Sequence, residues 1–90
     1  MSRDFVKLER LLSGLITSVS GVFSQEEIEE VQSLIDVGEY GVALETFVDV
    51  VVEENKGITK SCLVLIEEAA AMMEMDPEVF SRKLIEHFVD

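Results

Sequence analysis

The sequence predicts an all-α fold, a compact single-domain bundle or orthogonal array of about five short helices. Three observations carry that expectation. Apolar residues recur at helical spacing along most of the chain, capping and stop signals divide it into segments, and no segment alternates apolar and polar residues between turn signals. Ninety residues suffice for one hydrophobic core and not two, so residues 1–90 read as one domain without linker, repeat or low-complexity stretch.

The first helix follows from Phe5, Leu8, Leu12, Leu15, Ile16 and Val19, which share one face; Gly14 weakens it and Ser20-Gly21 stops it. The next start is the strongest local signal in the chain. In Phe23-Ser24-Gln25-Glu26-Glu27-Ile28, Ser24 can cap the backbone N–H of Glu27 while the Glu27 side chain reaches back, and Phe23 with Ile28 supplies a hydrophobic staple. This second helix buries Ile28, Val31, Leu34 and Ile35 and runs to about Val37, where Gly38 offers the left-handed conformation that ends many helices.

Tyr40, Leu44, Phe47, Val48 and Val51 define a third helix to about Glu54. The valine-rich run from Val48 to Val52 favours a strand locally, because β-branched side chains lose rotamer freedom in a helix. Period and length still favour the helix, since a strand here has no partner segment. After the loop Asn55-Lys56-Gly57, Thr59 caps a fourth helix whose inner face holds Cys62, Ile66, Ala69 and Met73, with Leu63 and Ala70 beside them. Asp76-Pro77 then starts a last helix, predicted to extend through Phe88 with Phe80, Leu84 and Phe88 inward.

The formal net charge is −12 in a chain that is 48% hydrophobic, so a core can form beneath a strongly negative surface. Such a field repels nucleic-acid phosphates and favours a cationic partner, although an acidic balance also serves solubility. One cysteine, Cys62, permits no internal disulfide, which makes the cytoplasm the expected compartment. The start of the chain is a poor match to a signal peptide, because Asp4 and Glu9 interrupt its basic region and Ser13, Gly14 and Thr17 its apolar one. No stretch approaches the roughly 18 apolar residues of a membrane span.

No catalytic constellation emerges, and the expectation is a non-enzyme with neither metal nor cofactor. His87 is the single histidine and reads as a surface or half-buried helix residue; Cys62 reads as a buried structural thiol. The glutamate pairs Glu26-Glu27, Glu29-Glu30 and Glu67-Glu68 read as solvated helix faces, and Met72, Met73 and Met75 as core filler. An acyl-carrier role, which suits small acidic helical proteins, lacks its Asp-Ser-Leu-type attachment motif at Ser13, Ser33, Ser61 and Ser81.

What stands out is charge placement. From Leu11 to Asn55 there is no lysine or arginine; the seven basic residues are Arg3, Lys7, Arg10, Lys56, Lys60, Arg82 and Lys83. At about 100° per residue, Glu26, Glu29, Glu30 and Asp36 oppose the apolar face of the second helix, and Glu45, Asp49 and Glu53 that of the third. Both helices are expected to present bare acid outward. Lysine four residues after glutamate would gain about 0.2–0.5 kcal/mol per pair, and like charges at that spacing lose a similar amount, so the third helix gives up stability twice. Val42 and Val52 should lie on or beside the same outer face, making a mixed surface suited to partner binding.

The motif Gly38-Glu39-Tyr40-Gly41-Val42-Ala43-Leu44-Glu45, preceded by Phe23-Ser24-Gln25-Glu26-Glu27-Ile28 and Val31 through Asp36, resembles the MafI-type immunity proteins of bacterial competition systems. The similarity runs over roughly residues 22 to 77 and includes Met75-Asp76-Pro77. The resemblance implies a small helical protein that binds and neutralises a cognate toxin domain, often a nuclease such as an EndoU-type ribonuclease. Glu39, Tyr40, Gly41 and Glu45 match the family motif. Physical reasoning assigns Gly38 and Gly41 to turn shape and close helix packing, Glu39 to the helix dipole, and Tyr40 to closing the core with its hydroxyl at the rim.

The candidate partner-binding residues are accordingly Glu26, Glu29, Glu30, Asp36, Glu39, Tyr40, Glu45, Asp49 and Glu53. The alternative is an intracellular helical adaptor or regulatory subunit that holds its partner in an apolar groove. Neither reading involves direct contact with nucleic acid or membrane.

Overall fold

Local chemistry sets where three of the helices begin. In the computed structural model, which describes residues 5–89, Ser24 Oγ accepts the Glu27 N–H at 3.1 Å and Glu27 Oε1 accepts the Ser24 N–H at 2.8 Å, completing the expected capping box. Thr59 caps its helix by accepting from Cys62 N–H at 3.2 Å, and Asp76 by accepting from Glu78 N–H at 3.0 Å with Pro77 at the first helical position. The resulting elements are α1 (Phe5–Ser18), α2 (Gln25–Asp36), α3 (Tyr40–Glu53), α4 (Lys60–Met72) and α5 (Pro77–Leu84).

Three helices end by the same device. The N–H groups of Gly38 and Glu39 return to Ile35 and Leu34, those of Asn55 and Lys56 to Val52 and Val51, and those of Glu74 and Met75 to Ala71 and Ala70. This paired closure requires one left-handed residue, and the positions are Gly38 (φ 80°), Asn55 (φ 50°) and Glu74 (φ 58°). Glycine and asparagine adopt that conformation readily, whereas a glutamate does so against a steric cost of about 1 kcal/mol.

The valine run is helical because burial outweighs propensity. Val48 and Val51 are fully buried, each contributing about 1.5–3 kcal/mol, against a helix penalty of a few tenths. Core residues come from every helix, with Leu8, Leu12 and Leu15 on α1, Val31 and Ile35 on α2, Leu44 and Phe47 on α3, Ile66 on α4, and Phe80 and Leu84 on α5. Phe23 stacks on Phe47 with ring centroids 4.9 Å apart. No polar or charged side chain is buried among the described residues. The main helix contacts join α1 to α4, α2 to α3 and α4 to α5, and among the described residues α2 meets only α1 and α3. Ile28 and Leu34, expected in the interior, are half-buried on this peripheral helix.

Two expectations are corrected. The last helix stops at Leu84 instead of reaching Phe88, and His87 lies half-buried in the tail, off any helix. The tail has a stronger use for its backbone: Ile58 N–H donates to His87 C=O at 2.8 Å, and Val89 N–H to Ile58 C=O at 3.0 Å. Ile58 is buried, and one more helical turn would have left its backbone groups without these partners. Phe88 still packs against the core, opposite Ile58 in a single parallel bridge. His87 Nδ1 lies 3.2 Å from Lys56 C=O, and a Cβ on Gly57 would meet the Val89 side chain, which would have to shift to admit it. The second correction is Phe5, placed on the inner face of α1 by its spacing but 51% exposed, its ring 5.9 Å from that of Tyr40.

Candidate functional site

The candidate residues fall on two helices and the turn between them. Glu26, Glu29, Glu30, Asp36, Glu39, Glu45, Asp49 and Glu53 are exposed, and Tyr40 is half-buried. Val42 and Val52 are exposed on the outer side of α3, as their spacing predicts.

On the face of α2, two of the candidate acids are locally engaged. Glu29 accepts from Gln25 Nε2 at 3.0 Å and Asp36 from Gln32 Nε2 at 2.8 Å, each one helical turn apart. Glu27 meets Lys56 Nζ at 3.2 Å, so a cation from outside the basic-free interval reaches this helix. Its carboxyl titrates below the ordinary glutamate range, chiefly because the Ser24 backbone N–H donates to it, with Lys56 adding to the effect.

The face of α3 borders a groove. Glu45 and Asp49 line it from one side, and Met75, Asp76, Val79, Phe80 and Lys83 from α5 and the turn before it; its volume is about 380 Å³. The expectation of bare acid on both helices is thereby corrected. Lys83 stands in the same groove as Glu45 and Asp49, because α5 packs beside α3. None of the α2 acids lines this groove.

A second groove opens at the Gly-Glu-Tyr-Gly turn, between Phe5, Leu8, Glu39, Tyr40, Val42, Met73 and Met75. The Tyr40 hydroxyl sits at its rim and donates to Glu9 Oε2 at 3.1 Å; holding that proton against a carboxylate raises the phenol above its ordinary range, with burial and the Glu9 charge acting in the same direction. Glu39 occupies the N-cap position of α3 without a side-chain capping bond. Gly38 shapes the turn through its positive φ, but a Cβ on Gly41 would meet nothing within 4 Å, so close packing does not explain that glycine.

The sequence reading missed Met75, Asp76, Val79 and Lys83. Val79 and Lys83 share a face of α5 at i,i+4 spacing, a pattern visible in the sequence, but spacing within one helix carries no information about which other helix lies beside it. Cys62 is buried, and desolvation raises its thiol pKa, partly offset by Ser18, which disfavours the thiolate. Among the described residues no three His, Cys, Asp or Glu side chains form a group that could hold a metal ion, and no helix is long and apolar enough to cross a membrane. Comparison with family models, curated proteins and solved structures returns no match.

Proposed function

We propose that this chain is a cytosolic immunity protein that binds a cationic toxin domain, a nuclease such as an EndoU-type ribonuclease in the best case, and blocks its active site or substrate-binding surface. The observation that carries the reading is the stripe Glu45, Asp49 and Glu53, exposed on α3 beside Val42 and Val52, with Glu45 and Asp49 bordering a groove. An acidic surface opposite the phosphate-binding region of a nuclease occupies the place of its substrate, and opposite potentials speed association and reject wrong partners. The resemblance of residues 22 to 77 to MafI-type proteins supports the same role.

The test is co-purification with the product of the adjacent upstream gene, followed by a growth-protection assay when that product is expressed. A one-to-one complex and restored growth are expected; an upstream product without toxicity, or one that does not bind, sinks the reading. A second reading, an adaptor that holds its partner by apolar contact, is favoured by the groove at Phe5, Tyr40, Val42 and Met75. Salt separates the two. Acid-driven association slows steeply with ionic strength as screening shortens the field, whereas apolar docking barely responds.

A further inference from the structure

The two grooves adjoin at one side chain: Met75 lines both the acidic groove between α3 and α5 and the apolar groove at the Gly-Glu-Tyr-Gly turn. We propose, resting on the acidic-surface reading above, that these two adjoining grooves receive one segment of a cationic protein partner, a stretch with two apolar anchors flanked by lysine or arginine.

Both halves of that chemistry are present on this face. Val42 is 45% exposed and Val79 is 46% exposed, one in each groove, with Met75 between them. Around them stand Glu39, Glu45, Asp49 and Asp76, against Lys83 as the single lining cation among the described residues. A purely anionic or apolar segment would desolvate or repel these carboxylates, and a second copy of the chain carries −12 of its own. A basic segment with apolar anchors satisfies both features at once.

Met75 reaches the junction because Glu74 takes the left-handed conformation (φ 58°) that turns the chain off α4. Methionine at that point is unbranched and polarizable, so it can adapt to either anchor.

The probe is an amphipathic lysine/leucine peptide about 18 residues long, five helical turns, compared with oligolysine and a glutamate/leucine peptide of the same length. Titration followed by amide and methyl shifts should show saturable binding of the lysine/leucine peptide, with changes centred on Val42, Met75 and Val79. Oligolysine should bind at least about tenfold more weakly, and the glutamate/leucine peptide should not bind. Val42→Ser and Val79→Ser should each weaken binding about fivefold, the loss of two methyl contacts. Val64→Ser, exposed on α4 outside both grooves, should leave it unchanged.

Equal binding of oligolysine, equal binding of the glutamate/leucine peptide, or shifts centred on α4 overturn the proposal. The toxin reading fails separately. If the upstream product does not bind but the peptide pattern holds, the groove stands and the immunity role falls. If the toxin binds and Val42→Ser with Val79→Ser leaves its affinity unchanged, the groove falls and the immunity role stands.

Discussion

On α2, Glu29 and Asp36 each accept from a glutamine one turn away, and Glu27 closes a capping box and meets Lys56. On α3, Glu45, Asp49 and Glu53 follow one another at four-residue spacing, so each neighbouring pair is repulsive, and the first two face a groove. Glu27, Glu29 and Asp36 therefore bond on or beside their own helix, with one repulsive four-residue pair at Glu26 and Glu30, whereas the α3 stripe contains two such pairs. Charge that stabilises its host needs no external explanation. Charge that destabilises its host, next to exposed valines and a concave surface, is the feature on which the proposed partner-binding role rests.

The largest expected effect separates the helices by binding. Changing Glu45, Asp49 and Glu53 together to lysine should weaken a cationic partner about a hundredfold or more, while the same change at Glu26, Glu29 and Glu30 should cost less than about fivefold. Titration calorimetry on the two triple variants measures this, and equal losses would erase the distinction between the faces.

Next comes the start of each helix. Ser24→Ala removes the cap of α2 and should cost about 1 kcal/mol in urea unfolding, whereas Glu39→Ala should cost almost nothing because Glu39 makes no capping bond. A smaller effect has opposite signs in two assays. Asp49→Lys places a cation between Glu45 and Glu53 and should stabilise the free protein by about 0.5 kcal/mol, less whatever Lys83 opposes across the groove, while weakening partner binding. Loss of stability in that variant would show that α3 carries no electrostatic strain.

The smallest is a pH effect confined to α2. Because the Glu27 pKa is lower folded than unfolded, its contribution is complete above the ordinary glutamate range and lost as pH falls through the lowered value. Glu27→Gln should therefore be less stable than the wild type at neutral pH, and the difference should shrink on acidification across that window. Denaturation midpoints measured from neutral to strongly acid pH would check it; a constant difference would detach Glu27 from the effect.

The legible part of the fold is the part written in local chemistry. Ser24, Thr59 and Asp76 mark the helix starts and Gly38 an end, and these boundaries agree with the structure because a cap acts over three or four residues of chain. Exposure of the acids was legible for the same reason, since a carboxylate opposite an apolar face points away from the core. The end of α5 was not. Residues 85–88 continue a plausible helical pattern, but the tail instead bonds the backbone of Ile58, far away in sequence. Glu74 likewise gives no glycine-like sign of its left-handed backbone.

The sequence by itself determined the five helices, the single core and a surface rich in acid, because periodicity, capping and charge are properties of short stretches of chain. Only the tertiary structure decided that α5 lies beside α3, that Lys83 shares a groove with Glu45 and Asp49, and that Met75 lines both this groove and the one at the Gly-Glu-Tyr-Gly turn. The physical reason is that a helix's own spacing selects which face it buries but not which neighbour covers that face. That choice is made by the packing of all five helices together.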